Sequence, residues 1–146
     1  MKNRSTRLMD QLRRNRVALI SLAVAIISLS YNTWRNEASE ANRTQRLVSI
    51  EILLKLADLQ QVVWHNHYDG DIEDRGNLRT GWTLVLTIRD ISTILGEPMP
   101  ESGHKLWQVW NENYETLPNS TAAKDNIIMA IEKCRLDTLA VLQELE

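Results

Sequence analysis

His65, His67, Asp69, Asp71, Glu73 and Asp74 fall within one ten-residue stretch. Mixed imidazole and carboxylate is a donor set that zinc and similar divalent ions accept. A His-x-His pair brings both rings to one side only where the chain is extended; on a helix they diverge. The stretch fails as an EF-hand. Counted from Asp69, the sixth position is Asp74 where that loop needs Gly, and the twelfth is Thr80 where it needs Glu. An acidic, solvated loop tip is the preferred reading, and a metal site the second.

Glu101-Ser102-Gly103-His104 has the Glu-x-x-His form used by di-iron helix bundles. Such a centre needs two pairs and two further inward carboxylates. The pair stands alone beside a glycine, and nothing in the sequence places Glu51 or Glu112 near it. Trp64, Trp82, Trp107 and Trp110 are conspicuous because Phe is absent. Four indoles can line a ligand pocket, but as the largest side chains they are expected first in the core. Trp107 and Trp110 share a helical face. Cys134 is the single cysteine, which excludes an intramolecular disulfide and a cysteine-rich zinc site. On an apolar stripe it reads as a buried thiol; an intermolecular disulfide in an oxidising space is the alternative. Ser102, Ser120 and Thr121 sit where helix caps are expected, with no His–Asp pair tied to them. There is no nucleotide loop and no nucleophile elbow. The expectation is therefore a protein that is not an enzyme, with no cofactor and no metal.

What remains is architecture. The chain has 146 residues, 43% hydrophobic and 25% charged, within the range of an ordinary globular domain. Five Gly and three Pro leave few turns, which argues against a β-sandwich or barrel. Charge is divided unevenly. Residues 1–16 carry Lys2, Arg4, Arg7, Arg13, Arg14 and Arg16 against Asp10, while the rest of the chain is acidic, for a total of −2.

Between Arg16 and Arg35 runs an uncharged segment, Val17 to Trp34, of 18 residues. As a helix it is about 27 Å long, short but sufficient for a hydrocarbon core of roughly 30 Å. Its Leu, Ile and Val side chains favour insertion by about 2–5 kcal/mol. Three readings compete. A cleaved signal peptide wants small residues before its cut, and Ser28-Leu29-Ser30-Tyr31-Asn32 is a poor site. A soluble core helix leaves Arg13, Arg14 and Arg16 beside apolar surface without partners. A signal anchor is preferred. Arg13, Arg14, Arg16, Tyr31 and Trp34 then serve as interface anchors. The basic excess before the segment, against Arg35, Arg43 and Arg46 after it, predicts a cytoplasmic N-terminus and a body on the periplasmic or extracellular side. With the bilayer adjacent and no fold around the basic tail, nucleic acid is not an expected partner.

No Gly or Pro occurs before Gly70, so one helix, or two nearly collinear ones, is predicted from Leu8 or Arg16 to His65. Ala18, Ser21, Ala25, Ser28 and Asn32 begin a 3–4 stripe continued by Arg35, Ser39, Asn42, Arg46 and Ser49. Small residues let helix backbones approach closely in lipid, so Ala18 to Asn32 is a candidate docking face for a membrane-protein partner or a second copy. Further on, Leu47, Ile50, Leu54, Ala57 and Trp64 form an apolar stripe interrupted by Gln61. Ile52, Leu53, Leu56, Leu59, Val62 and Val63 widen it.

After a loop at 66–77, a second helix is expected over 78–95. It is capped by Asn77 and stopped by Gly96, Pro98 and Pro100. A third is expected from Ser102 to before Pro118, and a fourth from Ser120 or Thr121 nearly to Glu146. Short connections predict antiparallel neighbours. The fold class expected is all-α, a single N-terminal transmembrane helix continuing into an antiparallel four-helix bundle. Its regions are a basic tail (1–16), the transmembrane helix (17–34) and the extramembrane bundle (35–146) with a stalk at 35–46. The expected function is that of an accessory or scaffold protein packing against another membrane protein or itself. The alternative is a membrane-tethered ligand-sensing or metal-binding bundle.

Overall fold

The computed structural model describes residues 15–145. Its regular structure is helical: α1 (Arg16–Trp64), a π-helical turn (His65–Asp69), α2 (Leu78–Ser92), α3 (Met99–Asn113) and α4 (Thr121–Glu144). No strand occurs among the described residues. The chain divides between Ala41 and Asn42 into two units. In the first, the described residues belong to α1 apart from the turn residue at its start, and all of them are exposed.

The second unit is a helical bundle. Its turns follow from local chemistry. The π turn closes on Gly70, whose φ of 66° lies in the left-handed region that a side chain disfavours. Asn77 caps α2 by accepting from the Arg79 N–H at 2.9 Å, and Ser120 caps α4 by accepting from the Ala123 N–H at 3.2 Å.

Two boundaries differ from expectation. α2 ends at Ser92 rather than near Leu95. The hydroxyls of Ser92 and Thr93 donate back to the carbonyls of Arg89 (2.7 Å) and Asp90 (2.6 Å), and the chain leaves in a tighter turn. α3 begins at Met99 rather than near Ser102. Pro98 and Pro100 bracket its first residue, where the missing proline N–H removes no helical bond. Prolines that read as stop signals for α2 act as start signals for α3.

Cross-contacts fix helix direction. Along α4, Leu145 accepts from Arg46, Arg135 donates to Gln60 at 2.6 Å, and Lys124 donates to Tyr68 at 3.1 Å. The body part of α1 and α4 therefore run antiparallel. Asn113 with Asn126, and Met99 with Thr138, set the same relation for α3 and α4. Trp82 against Trp110 and Tyr114, with Ser92 beside Gly103, does so for α2 and α3.

The core is built from Ile52, Leu56, Leu59, Val62 and Val63 of α1, Val85 and Ile88 of α2, Leu106 and Trp110 of α3, and Ile127, Ile131, Cys134 and Val141 of α4. Met99, at the first position of α3, with Leu95 and Leu117 from the connections, completes it. Trp110 is wholly buried, and a Cβ at Gly81 would overlap its indole. Small size at Gly81 is what admits the ring against α2. On α4 the buried line runs Ile127, Ile131, Cys134, Thr138, Val141. The Thr138 hydroxyl is satisfied by the Cys134 carbonyl at 2.7 Å, so a polar residue completes an apolar stripe without an unpaired group.

Candidate functional site

Two surfaces carry apolar side chains that the described residues leave uncovered. The first is the segment from Val17 to Trp34. None of its best apolar window, of mean hydropathy 1.7, is buried, and the helix is long and apolar enough to cross a membrane. Val17 is 78% exposed and Leu29 69%. The other described residues leave this segment uncovered. The proposed docking residues Ala18, Ser21, Ala25, Ser28 and Asn32 are all exposed along it. Tyr31 and Trp34 lie at its end with ring centroids 6.2 Å apart. Arg16 is exposed at its start, while Arg13 and Arg14 lie outside the described residues.

The second surface lies on the bundle. Leu47, Ile50, Leu54, Ala57, Gln61 and Trp64 are exposed, whereas Ser49, Ile52, Leu56, Leu59, Val62 and Val63 are buried. The 3–4 stripe from Leu47 to Trp64 is thus the outer face of α1, and the residues that widened it, half-buried Leu53 excepted, are the inner face. Beside this outer face, Arg46 and Ile50 join Leu139, Leu142 and Gln143 of α4 around a groove of about 270 Å³.

The His/Asp loop does structural work. His65 Nδ1 is paired with Asp69 at 2.6 Å, and His67 Nδ1 donates to the Leu117 carbonyl at 2.8 Å, tying the turn after α1 to the α3–α4 connection. Asp71 accepts the N–H groups of Asp74 (3.0 Å) and Arg75 (3.1 Å). These bonds, that from Asp74 foremost, hold its carboxyl below the ordinary 3.8. Asn66, unremarked in the sequence, is buried and donates to the Gly76 carbonyl at 2.8 Å, closing the loop. Among the described residues, no group of three or more His, Cys, Asp or Glu side chains is gathered as a metal would require.

The remaining candidates are separated by the fold. Glu101 borders a groove of about 220 Å³ with Lys105, Lys133 and Asp137, while His104 lies against Trp107 with ring centroids 5.3 Å apart. Trp110 fills the core, Trp82 meets it edge-on, Trp107 lies partly exposed under the Arg89 guanidinium, and Trp64 is exposed. The indoles therefore do not converge on one pocket. Cys134 is buried, and burial pushes its thiol above the ordinary value despite the neighbouring Ser102 and Thr138 hydroxyls. Ser120 is a helix cap. Bonding to Asp125, and then to Tyr68, holds Lys124 above its ordinary value; the Glu115 carboxylate does the same for Tyr114.

No protein-family model, curated protein or solved structure matches this chain.

Proposed function

We propose that the protein is a single-pass membrane-anchored helical accessory or scaffold protein, which packs against another membrane protein or a second copy of itself. The observation that carries this reading is the uncharged segment Val17 to Trp34, helical and exposed on every side. Leaving such surface in water costs about 25 cal/mol per Å², and a bilayer removes that cost while the helix satisfies its own backbone groups.

Charge supports an orientation. The arginines before the segment favour the cytoplasmic side, and the acidic bundle then stands on the periplasmic or extracellular side. Tyr31 and Trp34 suit the far interface. In the bilayer, Ala18, Ser21, Ala25, Ser28 and Asn32 offer a face on which a second helix can approach closely. The bundle then holds a partner beside the membrane. The ligand-sensing or metal-binding alternative has less support, since the loop's imidazoles and Asp71 are engaged in its own hydrogen bonds and the tryptophans do not converge.

The test is alkaline carbonate extraction of native membranes, followed by protease treatment of sealed vesicles. The full chain is expected in the pellet, with the bundle accessible only from the side opposite the cytoplasm. Release into the supernatant, or trimming of the mature chain beyond Tyr31, overturns the anchor. Ser21→Leu with Ala25→Leu is expected to lose co-purifying partners while keeping helicity.

A further inference from the structure

We infer that the outer face of α1 in the bundle is the seam of a parallel two-stranded coiled coil with a second copy of this chain. The seam is Leu47, Ile50, Leu54, Ala57, Gln61 and Trp64, with Arg46 of each copy opposite Glu51 of the other. The inference deepens the scaffold reading by naming the partner. It rests on that reading for the shared orientation that one bilayer imposes on both copies.

The outward face of a surface helix is normally polar. Here Leu47 is 60% exposed, Ile50 49%, Leu54 57% and Trp64 46%. The spacing of the six positions is 3, 4, 3, 4, 3. That is the a/d pattern of a heptad, whose 3.5-residue period keeps one seam facing a partner helix. The core-facing line of α1 is distinct, so the seam does not repeat the fold's own packing.

Charge selects the occupant. With Leu47 and Ile50 at a and d, Arg46 falls at g, and Glu51 and Asp58 at e. A parallel pair aligns each g with the e five residues on in the other helix, placing Arg46 against Glu51 twice. An antiparallel pair brings e against e, setting Glu51 against Asp58 twice. Self-association in parallel is therefore complementary, and the reverse arrangement repulsive. Glu51 pairs with Lys55, one turn on, at 3.2 Å in a partly exposed ion pair, and such pairs are readily redirected. Arg46 donates one N–H to the Leu145 carbonyl; its guanidinium fork has further donors.

The groove formed by Arg46, Ile50, Leu139, Leu142 and Gln143 widens the seam towards α4. The seam is about two and a half heptads, or about 27 Å long, which is marginal for a coiled coil free in solution. Confinement of both copies to one bilayer raises their effective concentration and makes a short seam adequate.

Single-cysteine variants of the full chain test this in native membrane vesicles under a mild oxidant. Wild type, with only buried Cys134, is the blank. Leu47→Cys, Ile50→Cys and Leu54→Cys are expected to give a disulfide-linked dimer roughly tenfold above Glu112→Cys and Asp125→Cys, exposed positions elsewhere, a margin equal to about 1.4 kcal/mol. In the Ile50→Cys chain, Arg46→Glu or Glu51→Arg is expected to lower the dimer yield roughly two- to fivefold for each pair lost, and the two together to restore it. Uniform yields across all positions, no dimer at the seam, or no recovery in the double variant overturns the inference. Carbonate-washed pellet and supernatant are assayed separately. Pelleted protein without seam crosslinks sinks the coiled coil and leaves the anchor standing. Seam crosslinks on extractable protein sink the anchor and leave the coiled coil.

Discussion

Val17–Trp34 and Leu47–Trp64 are equal lengths of the same helix, both rich in Leu, Ile and Val, and they meet different physical fates. The first has no charged residue and is exposed around its whole circumference. The second interleaves apolar residues with Glu51, Lys55 and Asp58, burying one face and exposing another. Apolar content favours removal of both from water. Charge decides where each can go. A segment with charge on part of its surface suits a bundle that covers the remainder, whereas an uncharged one suits a medium that is apolar on every side.

The largest expected effect breaks the first region. Leu22→Arg with Ile26→Arg disfavours insertion by about 5–7 kcal/mol. Carbonate extraction is expected to move the protein from pellet to supernatant, while the unfolding midpoint of the bundle stays put. Retention in the pellet would show that lipid does not surround the segment.

Next comes the second region's inner face. Leu56, wholly buried, is expected to cost about 2–5 kcal/mol on change to Ala, read by urea unfolding through tryptophan fluorescence. Leu22→Ala in the first region is expected to leave that curve unmoved. Equal losses at the two positions would erase the contrast between them.

Helix starts within the bundle should respond less. Asn77→Ala or Ser120→Ala removes a cap worth about 1 kcal/mol, measured as a fall in urea midpoint, with membrane retention unchanged.

The smallest effect concerns Asp71. Its carboxylate accepts two backbone N–H groups, so the folded chain binds this proton less readily than the unfolded one. The stabilisation is complete above the ordinary value of 3.8 and is lost as pH falls through the lowered folded value. Asp71→Asn should therefore flatten the acid limb of the unfolding profile below 3.8 relative to wild type. Identical limbs would show that the loop bonds do not persist in solution.

Much of the helical order was legible. The absence of Gly and Pro before Gly70 foretold α1, and Asn77 and Ser120 marked helix starts because their side chains reach only the next few N–H groups. The α2–α3 junction was misread because proline disfavours the end of one helix and favours the first turn of the next, and spacing alone does not choose. Of the candidate site residues, His67 proved to be a tie to Leu117, fifty positions away. Gly81, Ser92, Thr138 and Asn66 gave no apolar signal, yet all are buried. Smallness at Gly81 admits Trp110, and local hydrogen bonds satisfy the Ser92 and Thr138 hydroxyls.

Local rules act within a few residues, so the sequence by itself determined that this chain is helical, where most helices start, and which segments are the most apolar. Tertiary structure decided which of two apolar faces of α1 meets the core. Both the Leu47 stripe and the Ile52 line satisfy helical periodicity. Only the docking of α2, α3 and α4 on one side buries the second and leaves the first outside. Periodicity reports that a helix has apolar sides, and burial depends on which side long-range partners reach first with matching shape.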